Sequence, residues 1–146
     1  MSRERFFIAV SGIIIITAVI LNIYQNRTRF VDLKIGQNYY HLEIADTSEK
    51  QRKGLSGRDF LAENQGMLFK FIYPSRYIFT TKEMEFPIDI IWLLDNKIVD
   101  LTPGAGLKQN ENTEYFPRLP VNRVIEVNAG VISKESLKIG DMIFFP

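Results

Sequence analysis

The sequence contains no cysteine, and histidine and tryptophan occur once each. Without cysteine the chain can form no disulfide, and it has no thiolate to act as a nucleophile or to bind zinc or an iron–sulfur cluster. A serine–histidine–aspartate triad or a histidine-rich metal site would have one possible member, His41. We interpret His41 as an exposed strand residue, and we predict no metal site, no cofactor and no catalytic residue of these kinds.

Basic residues are also scarce beyond the N-terminus. Residues 1–29 hold four of the 18 Lys and Arg residues and one of the 17 Asp and Glu residues, which leaves 14 and 16 for residues 30–146. That part of the chain therefore has a net charge of about −2, with no basic stripe that could follow a phosphate backbone, and we expect no nucleic-acid partner. A chain of 146 residues with 46% apolar and 24% charged residues is typical of one modest globular domain.

A charge-free apolar run, FFIAVSGIIIITAVILNIY, occupies residues 6–24. As a helix it would be about 28 Å long at about 1.5 Å per residue, close to the thickness of the hydrocarbon core of a bilayer. It is longer than the apolar part of a cleaved signal peptide, which spans about 7–15 residues, and no A-x-A-like cleavage site follows it. We predict an uncleaved membrane anchor within residues 1–29, with a cleaved signal peptide as the alternative.

The charges beside this run do not by themselves decide its orientation. Arg3 and Arg5 precede it and Arg27 and Arg29 follow it, so the counts on the two sides are nearly equal. A short basic N-terminus before a first helix most often stays in the cytosol. We therefore expect a single-pass protein of the cell membrane whose domain, residues 30–146, lies outside the cytoplasm.

Short alternating segments separated by turn residues predict a mainly β domain over residues 30–146. Two hairpins are expected, one from 30–34 and 39–45 and the other from 88–94 and 97–101. The remaining predicted elements are strands at 66–71, 77–81, 121–127 and 142–145, short helices at 47–53 and 130–137, and a long loop at 102–120. The run of residues 90–94 does not alternate, which indicates burial on both faces. The predicted fold is a curled antiparallel or mixed sheet, or a partly closed barrel, with two short helices and one preceding transmembrane helix.

Five stretches follow one another in a specific order along this domain. They are Lys53-Gly54-Leu55-Ser56-Gly57-Arg58, Gly66-Met67-Leu68-Phe69, Phe86-Pro87-Ile88-Asp89-Ile90-Ile91-Trp92, Val124-Ile125-Glu126-Val127-Asn128-Ala129-Gly130 and Ile139-Gly140-Asp141. Their order and spacing resemble the bacterial and archaeal family named domain of unknown function 192, over about residues 31–145. The resemblance implies a small, mostly β domain that often follows an export signal or anchor, and it brings no established activity.

The chain departs from the family pattern at one place. The family usually has an aromatic residue, Met, Lys and Asn or Asp before the strand that contains Pro-x-Asp. The equivalent residues here are Thr80-Thr81-Lys82-Glu83. If the missing side chains line a groove in relatives, we expect the groove of this chain to be more polar or lost.

Asp89 lies inside the apolar run of residues 88–92. A buried carboxylate needs a cation or several N–H donors. Lys82, on the other side of the Pro87 bend, is the expected partner. Two interpretations remain open: Asp89 is a structural peg that holds strand 88–94 in register, or it belongs to a binding pocket shared with Arg58.

Other polar and aromatic groups allow further interpretations. Glu83 and Glu85 with Asp89 could act as acid and base or bind Ca²⁺, or the two glutamates could mark a solvated strand edge. Tyr115 and Phe116 are adjacent aromatic residues in the long loop, where they could form a lid, a contact surface or simple packing.

The function predicted from these features is a membrane-tethered binding module for a small ligand, a peptide or an envelope protein. Its predicted binding residues are Asp89, Lys82, Arg58, Tyr115 and Phe116. The alternatives are a hydrolytic enzyme that uses carboxylates alone and a scaffolding component of an envelope complex, so whether the chain is an enzyme stays open.

Overall fold

The computed structural model describes residues 3–25, 27–106 and 113–146, and in the first helix it describes the side chains of residues 7 and 10–21. The helices are α1 (Arg3–Gln25), α2 (Ser48–Lys53) and α3 (Val131–Lys134). The strands are β1 (Phe30–Ile35), β2 (Asn38–Ala45), β3 (Gln65–Ser75), β4 (Phe79–Thr80), β5 (Ile88–Leu94), β6 (Lys97–Ala105), β7 (Glu114–Tyr115) and β8 (Val121–Asn128). Within these residues no helix is both long enough and apolar enough to cross a membrane, so the transmembrane helix predicted over about 6–24 is not supported.

Six strands form one mixed sheet in the order β1-β2-β3-β8-β5-β6, and β4 pairs with β7 in a separate two-stranded sheet. Strands β2 and β3 are parallel, because the chain returns through α2 before β3 begins, and the other neighbours are antiparallel. The predicted mainly β fold with a mixed sheet is thus confirmed. The sheet is open, with β1 and β6 at its edges, and the alternative of a partly closed barrel is wrong.

Both predicted hairpins are confirmed, and each turn contains a residue with positive φ. Gly36 has φ +60° between β1 and β2, and Asp95 has φ +54° between β5 and β6. Turns with positive φ match the twist of the strands that they join. The helix predicted over 47–53 is confirmed as well: the Thr47 side chain accepts a hydrogen bond from the Lys50 N–H, and Gly54 caps its C-terminus.

Several predicted elements differ from the structure. The strand predicted at 77–81 is only two residues long, and the loop predicted at 102–120 holds the end of β6 and all of β7, while its residues 107–112 lie outside the described part. The helix predicted at 130–137 is reduced to α3, because Ser136 has φ +52° and cannot continue it. The strand predicted at 142–145 is reduced to an isolated bridge between Met142 and Lys97.

The sheet separates two apolar clusters, as alternation along the strands requires. In β8, for example, Val124 lies in one cluster and Ile125 in the other. The first cluster is covered by α3 and the chain after it, through Val131, Leu137 and Ile143. The second cluster contains Met67, Phe69, Ile90, Trp92 and Val124 and is covered by Leu55 and Leu61 with the β4–β7 pair. Strand β5 is buried on both faces through Leu93, as predicted, and the candidate site lies on the second face.

Candidate functional site

A cavity of about 340 Å³, here called the aromatic cavity, opens on the second face between α2 with the loop after it and strands β3 and β4. Its lining residues are Gln51, Arg52, Lys53, Gly54, Leu55, Ser56, Phe69, Phe71, Tyr77, Ile78, Phe79, Thr80, Met84 and Glu126. This volume is at the lower end of the range for small-molecule sites, about 300–1,000 Å³.

The walls of the aromatic cavity are stacked rings. Phe71 and Tyr77 lie parallel with ring centroids 3.6 Å apart, and Phe69 and Phe79 meet edge to face at 4.8 Å. Phe79 also contacts the buried Trp92 edge to face at 5.3 Å. Because each ring packs against another, the walls are already formed before any ligand binds, which lowers the entropic cost of binding.

Gly54 allows the loop after α2 to pass close to the cavity. It has φ +51°, a conformation that L side chains rarely adopt, and a Cβ built on it would lie 3.5 Å from the Phe69 ring and 3.9 Å from the Glu126 Oε2 atom. Beyond Gly54 the loop is fastened to the chain before β5. The Ser56 Oγ donates to the Lys82 carbonyl and the Gly57 N–H donates to the Glu83 carbonyl, both at 2.9 Å.

Glu126 forms the base of the aromatic cavity. It lies in β8 between Met67 of β3 and Ile90 of β5, and it is 3% exposed. Its Oε2 atom has no hydrogen-bond partner in the described residues. Burial raises the pKa of the Glu126 carboxyl to about 8, against the opposing effect of the Arg58 charge. At pH 7 the carboxyl is mostly protonated, and it can donate a hydrogen bond as well as accept one.

A second concavity of about 430 Å³, here called the basic pocket, adjoins the aromatic cavity. Its lining residues are Arg52, Lys53, Ser56, Gly57, Thr80, Lys82 and Glu83. Four of them, Arg52, Lys53, Ser56 and Thr80, also line the aromatic cavity. An apolar wall and a cationic rim are therefore parts of one continuous surface.

Asp89 makes the contacts that we expect of a residue that holds strands in register. Its Oδ1 atom accepts from the Gly104 N–H at 2.9 Å, and its Oδ2 atom accepts from the N–H groups of Gly130 and Ile132 at 3.0 and 2.8 Å. The carboxylate thus joins β5 to β6 and to the start of α3. It lines neither the aromatic cavity nor the basic pocket.

The expected pairing of Asp89 with Lys82 is wrong. The Lys82 side chain is exposed on the rim of the basic pocket, and both Asp89 oxygens are bound by backbone N–H groups. Arg58 is bound elsewhere too, since its Nη2 atom donates to Glu43 at 2.5 Å. The structure therefore does not bring these three predicted residues together, although Lys82 and Arg58 lie on the same side of the domain as the cavity.

Tyr115 and Phe116 have different surroundings. Tyr115 is half-buried, pairs with Phe79 across the β4–β7 sheet and accepts from the Gly106 N–H at 3.0 Å through its hydroxyl. Phe116 is 55% exposed, and the Arg76 guanidinium lies 5.2 Å from its ring centroid. Tyr115 therefore supports the cavity wall from behind, while Phe116 faces solvent.

The other candidate groups contribute little to a site. Glu83 and Glu85 are exposed, and both oxygens of Asp89 accept hydrogen bonds from backbone N–H groups, so the geometry does not support an acid–base pair among them. His41 stacks on Phe30, and its Nδ1 atom lies 2.7 Å from Asp32. Within residues 3–25, 27–106 and 113–146, no three His, Asp or Glu side chains are grouped so that they could hold a metal ion.

Glu126 is the site residue that sequence reasoning missed. It is an acid inside the apolar run Val124-Ile125-Glu126-Val127, and like Asp89 it needs a cation or hydrogen-bond donors when it is buried. Three of the four residues in the stretch that departs from the family pattern, Thr80, Lys82 and Glu83, line the basic pocket. We expected the groove of this chain to be more polar or lost. Thr80 and Lys82 form a polar rim at the basic pocket, and the adjoining aromatic cavity keeps aromatic walls.

Together, these features define a small mixed-sheet domain with an aromatic cavity on one face. The family model named domain of unknown function 192 (DUF192), described as "Uncharacterized ACR", matches residues 31–145. The chain belongs to this family, which confirms the resemblance given by the five sequence motifs. A comparison with curated proteins finds no match.

Two solved structures share the fold. A proposed transcription regulator from Sinorhizobium meliloti 1021 is 24% identical with a TM-score of 0.71, over 81% of this chain and 93% of that one. A protein of unknown function from Novosphingobium aromaticivorans DSM 12444 is 26% identical with a TM-score of 0.69, over 81% and 85% of the two chains. The first likeness shows the fold alone.

Proposed function

We propose that the domain formed by residues 30–146 is a binding module and that the aromatic cavity is its ligand site. The observation that carries the proposal is Oε2 of Glu126, which has no hydrogen-bond partner among the described residues and lies at the base of a cavity with aromatic walls. A buried polar group without a partner costs free energy, and a ligand with a hydrogen-bonding group at this point would remove that cost. This supports the small-ligand form of the prediction more directly than the peptide form.

The test is a thermal-shift screen of the full-length chain against metals, nucleotides, sugars and peptides. A ligand at 100 times its Kd adds about 2.7 kcal/mol, which should raise the melting temperature by on the order of 10 °C. Trp92, the single tryptophan, contacts the cavity wall through Phe79, so its fluorescence should change with the same ligand.

A matched pair of variants locates the site. Phe79→Leu removes a wall ring and should abolish the ligand-induced shift. Phe144→Leu makes the same change at a ring that is 73% exposed and should leave the ligand-induced shift unchanged. If no compound shifts the wild type, or if Phe79→Leu responds as the wild type does, the aromatic cavity is not the ligand site.

We also propose, on the grounds of sequence, that residues 6–24 attach this domain to a membrane with the domain outside the cytoplasm. The exposure of the described side chains Ile13–Ile16, between 60% and 64%, is consistent with a partner for this segment beyond the domain. The full-length chain should remain in the membrane fraction after carbonate extraction, and deletion of residues 1–29 should release a soluble domain with a cooperative melt. Recovery of a soluble species that begins near residue 25 would contradict the attachment and favour a cleaved signal peptide.

One observation favours the alternative that the domain is a scaffolding component of an envelope complex. Apolar side chains are exposed near the end of β3 and beside Phe116, namely Ile72, Tyr73, Ile78 and Leu119. Such side chains are typical of contact surfaces. Loss of a co-purifying envelope protein on Ile72→Ser substitution, with the ligand response intact, would favour this function over the binding of a small ligand.

A further inference from the structure

The cationic rim of the basic pocket indicates what kind of ligand fits the cavity. Arg52, Lys53 and Lys82 are exposed there, and none of these three side chains has a hydrogen bond or an ion pair with another residue in the described part of the chain. Nearby cations are engaged: Lys50 donates to the Arg27 carbonyl, and Arg58 is paired with Glu43. Against the three uncommitted cations the basic pocket contains one acid, Glu83.

We propose that the aromatic cavity and the basic pocket together bind a small amphipathic anion. Its compact apolar body, best an aromatic ring that carries one hydroxyl group, would pack against Phe71, Tyr77 and Phe79. The hydroxyl group would supply the hydrogen-bond partner that Glu126 Oε2 lacks in the described residues. Its carboxylate or phosphate head would lie on Arg52, Lys53 and Lys82. This inference rests on the proposed function, since it assigns a chemical class to the ligand of the same site.

Two features favour an anion over a cation. Three uncommitted positive charges at the opening attract anions and repel ammonium groups. The carboxyl at the base does not reverse this preference, because burial keeps Glu126 mostly protonated at pH 7 and thus without a charge. Arginine and lysine together also fit the head, since Arg52 can donate a bidentate pair and the lysines supply mobile charges.

The experiment compares three probes that share a phenyl body and differ in the charge of the head: 3-phenylpropanoate, 3-phenylpropanamide and 3-phenylpropylamine. All three lack the hydroxyl group that would reach Glu126, so the comparison tests the head group alone. Each is titrated at pH 7 into the full-length chain in non-ionic detergent, with Trp92 fluorescence and thermal shift as readouts. We expect 3-phenylpropanoate to bind at least tenfold more tightly than the amide or the amine, and its affinity to fall with salt.

Paired charge variants give the control. Arg52→Gln with Lys53→Gln should weaken 3-phenylpropanoate at least fivefold and leave the amide unchanged. Lys34→Gln with Lys138→Gln removes two exposed positive charges away from both concavities. This pair should leave the affinities for 3-phenylpropanoate and for the amide unchanged.

The outcomes separate the two proposals. Equal binding of all three probes, or tighter binding of the amine, overturns the anion assignment while the cavity remains a ligand site. Failure of all three probes overturns the anion assignment too, and the compound screen with Phe79→Leu then decides independently whether the cavity binds anything.

Discussion

Replacement of Asp89 by asparagine is expected to lower the free energy of unfolding by about 3–6 kcal/mol. Asparagine keeps one acceptor oxygen, and its amide N–H₂ would face N–H groups that now donate to the carboxylate. With the amide oxygen at the Oδ2 position, the bonds from Gly130 and Ile132 would remain as neutral hydrogen bonds and the bond from Gly104 would be lost. A hydrogen bond to a charged group contributes about 1.5–3 kcal/mol and a neutral one about 0.5–1.5 kcal/mol, so one lost and two weakened bonds account for the expected effect. A loss of this size is comparable with the whole stability of many domains.

Urea denaturation of the full-length chain, followed by Trp92 fluorescence, measures the effect. Asp59→Asn makes the same change at an exposed side chain and should shift stability by no more than about 0.5 kcal/mol. Lys82→Ala should be equally small, and the double variant Asp89→Asn with Lys82→Ala should cost the sum of the single effects, because the two residues do not touch. A small effect of Asp89→Asn would show that its three hydrogen bonds do not support the fold and would return Asp89 to the list of functional candidates.

The hairpins and the first capped helix could be predicted from the sequence because their signals are local. Gly36 and Asp95-Asn96 mark the turns, and Thr47 with Gly54 marks both ends of α2. The length of α3 and the secondary structure of residues 142–145 depend on contacts with residues that are distant in sequence. Glu135 accepts from Gln37, Asn38 and Tyr40, nearly 100 residues away, and no pattern near Glu135 reports those contacts.

The same distinction explains the errors about the site. That Asp89 needed donors followed from its apolar neighbours, but the donors come from residues 104, 130 and 132, which adjoin β5 only in the folded sheet. Lys82 was the partner nearest in sequence, and it is exposed. What sequence alone could not show is that Phe71, Tyr77 and Phe79 leave space between themselves and α2.

The second large expected effect is a dependence of the free energy of unfolding on pH, and it is caused by Glu126. Its folded-state pKa of about 8 is above the ordinary value of 4.5, so between these values the folded chain binds more protons than the unfolded chain. The contribution of Glu126 to stability is therefore greatest below pH 4.5, falls as the pH rises from 4.5 to 8, and is constant above that range. Since a tenfold change in acidity corresponds to about 1.4 kcal/mol, the total fall is roughly 4–5 kcal/mol.

Glu126→Gln removes the titrating group and keeps nearly the same shape. The stability of this variant relative to the wild type should rise by roughly 4–5 kcal/mol between pH 4 and pH 8.5 in urea denaturation, and by roughly 3 kcal/mol between pH 4 and pH 7. Glu85→Gln controls for the substitution at an exposed position. A difference between Glu126→Gln and the wild type that does not change with pH would mean that Glu126 ionises normally in the folded chain. The base of the cavity would then carry a negative charge at pH 7, and a cationic ligand would become the better fit to the aromatic walls.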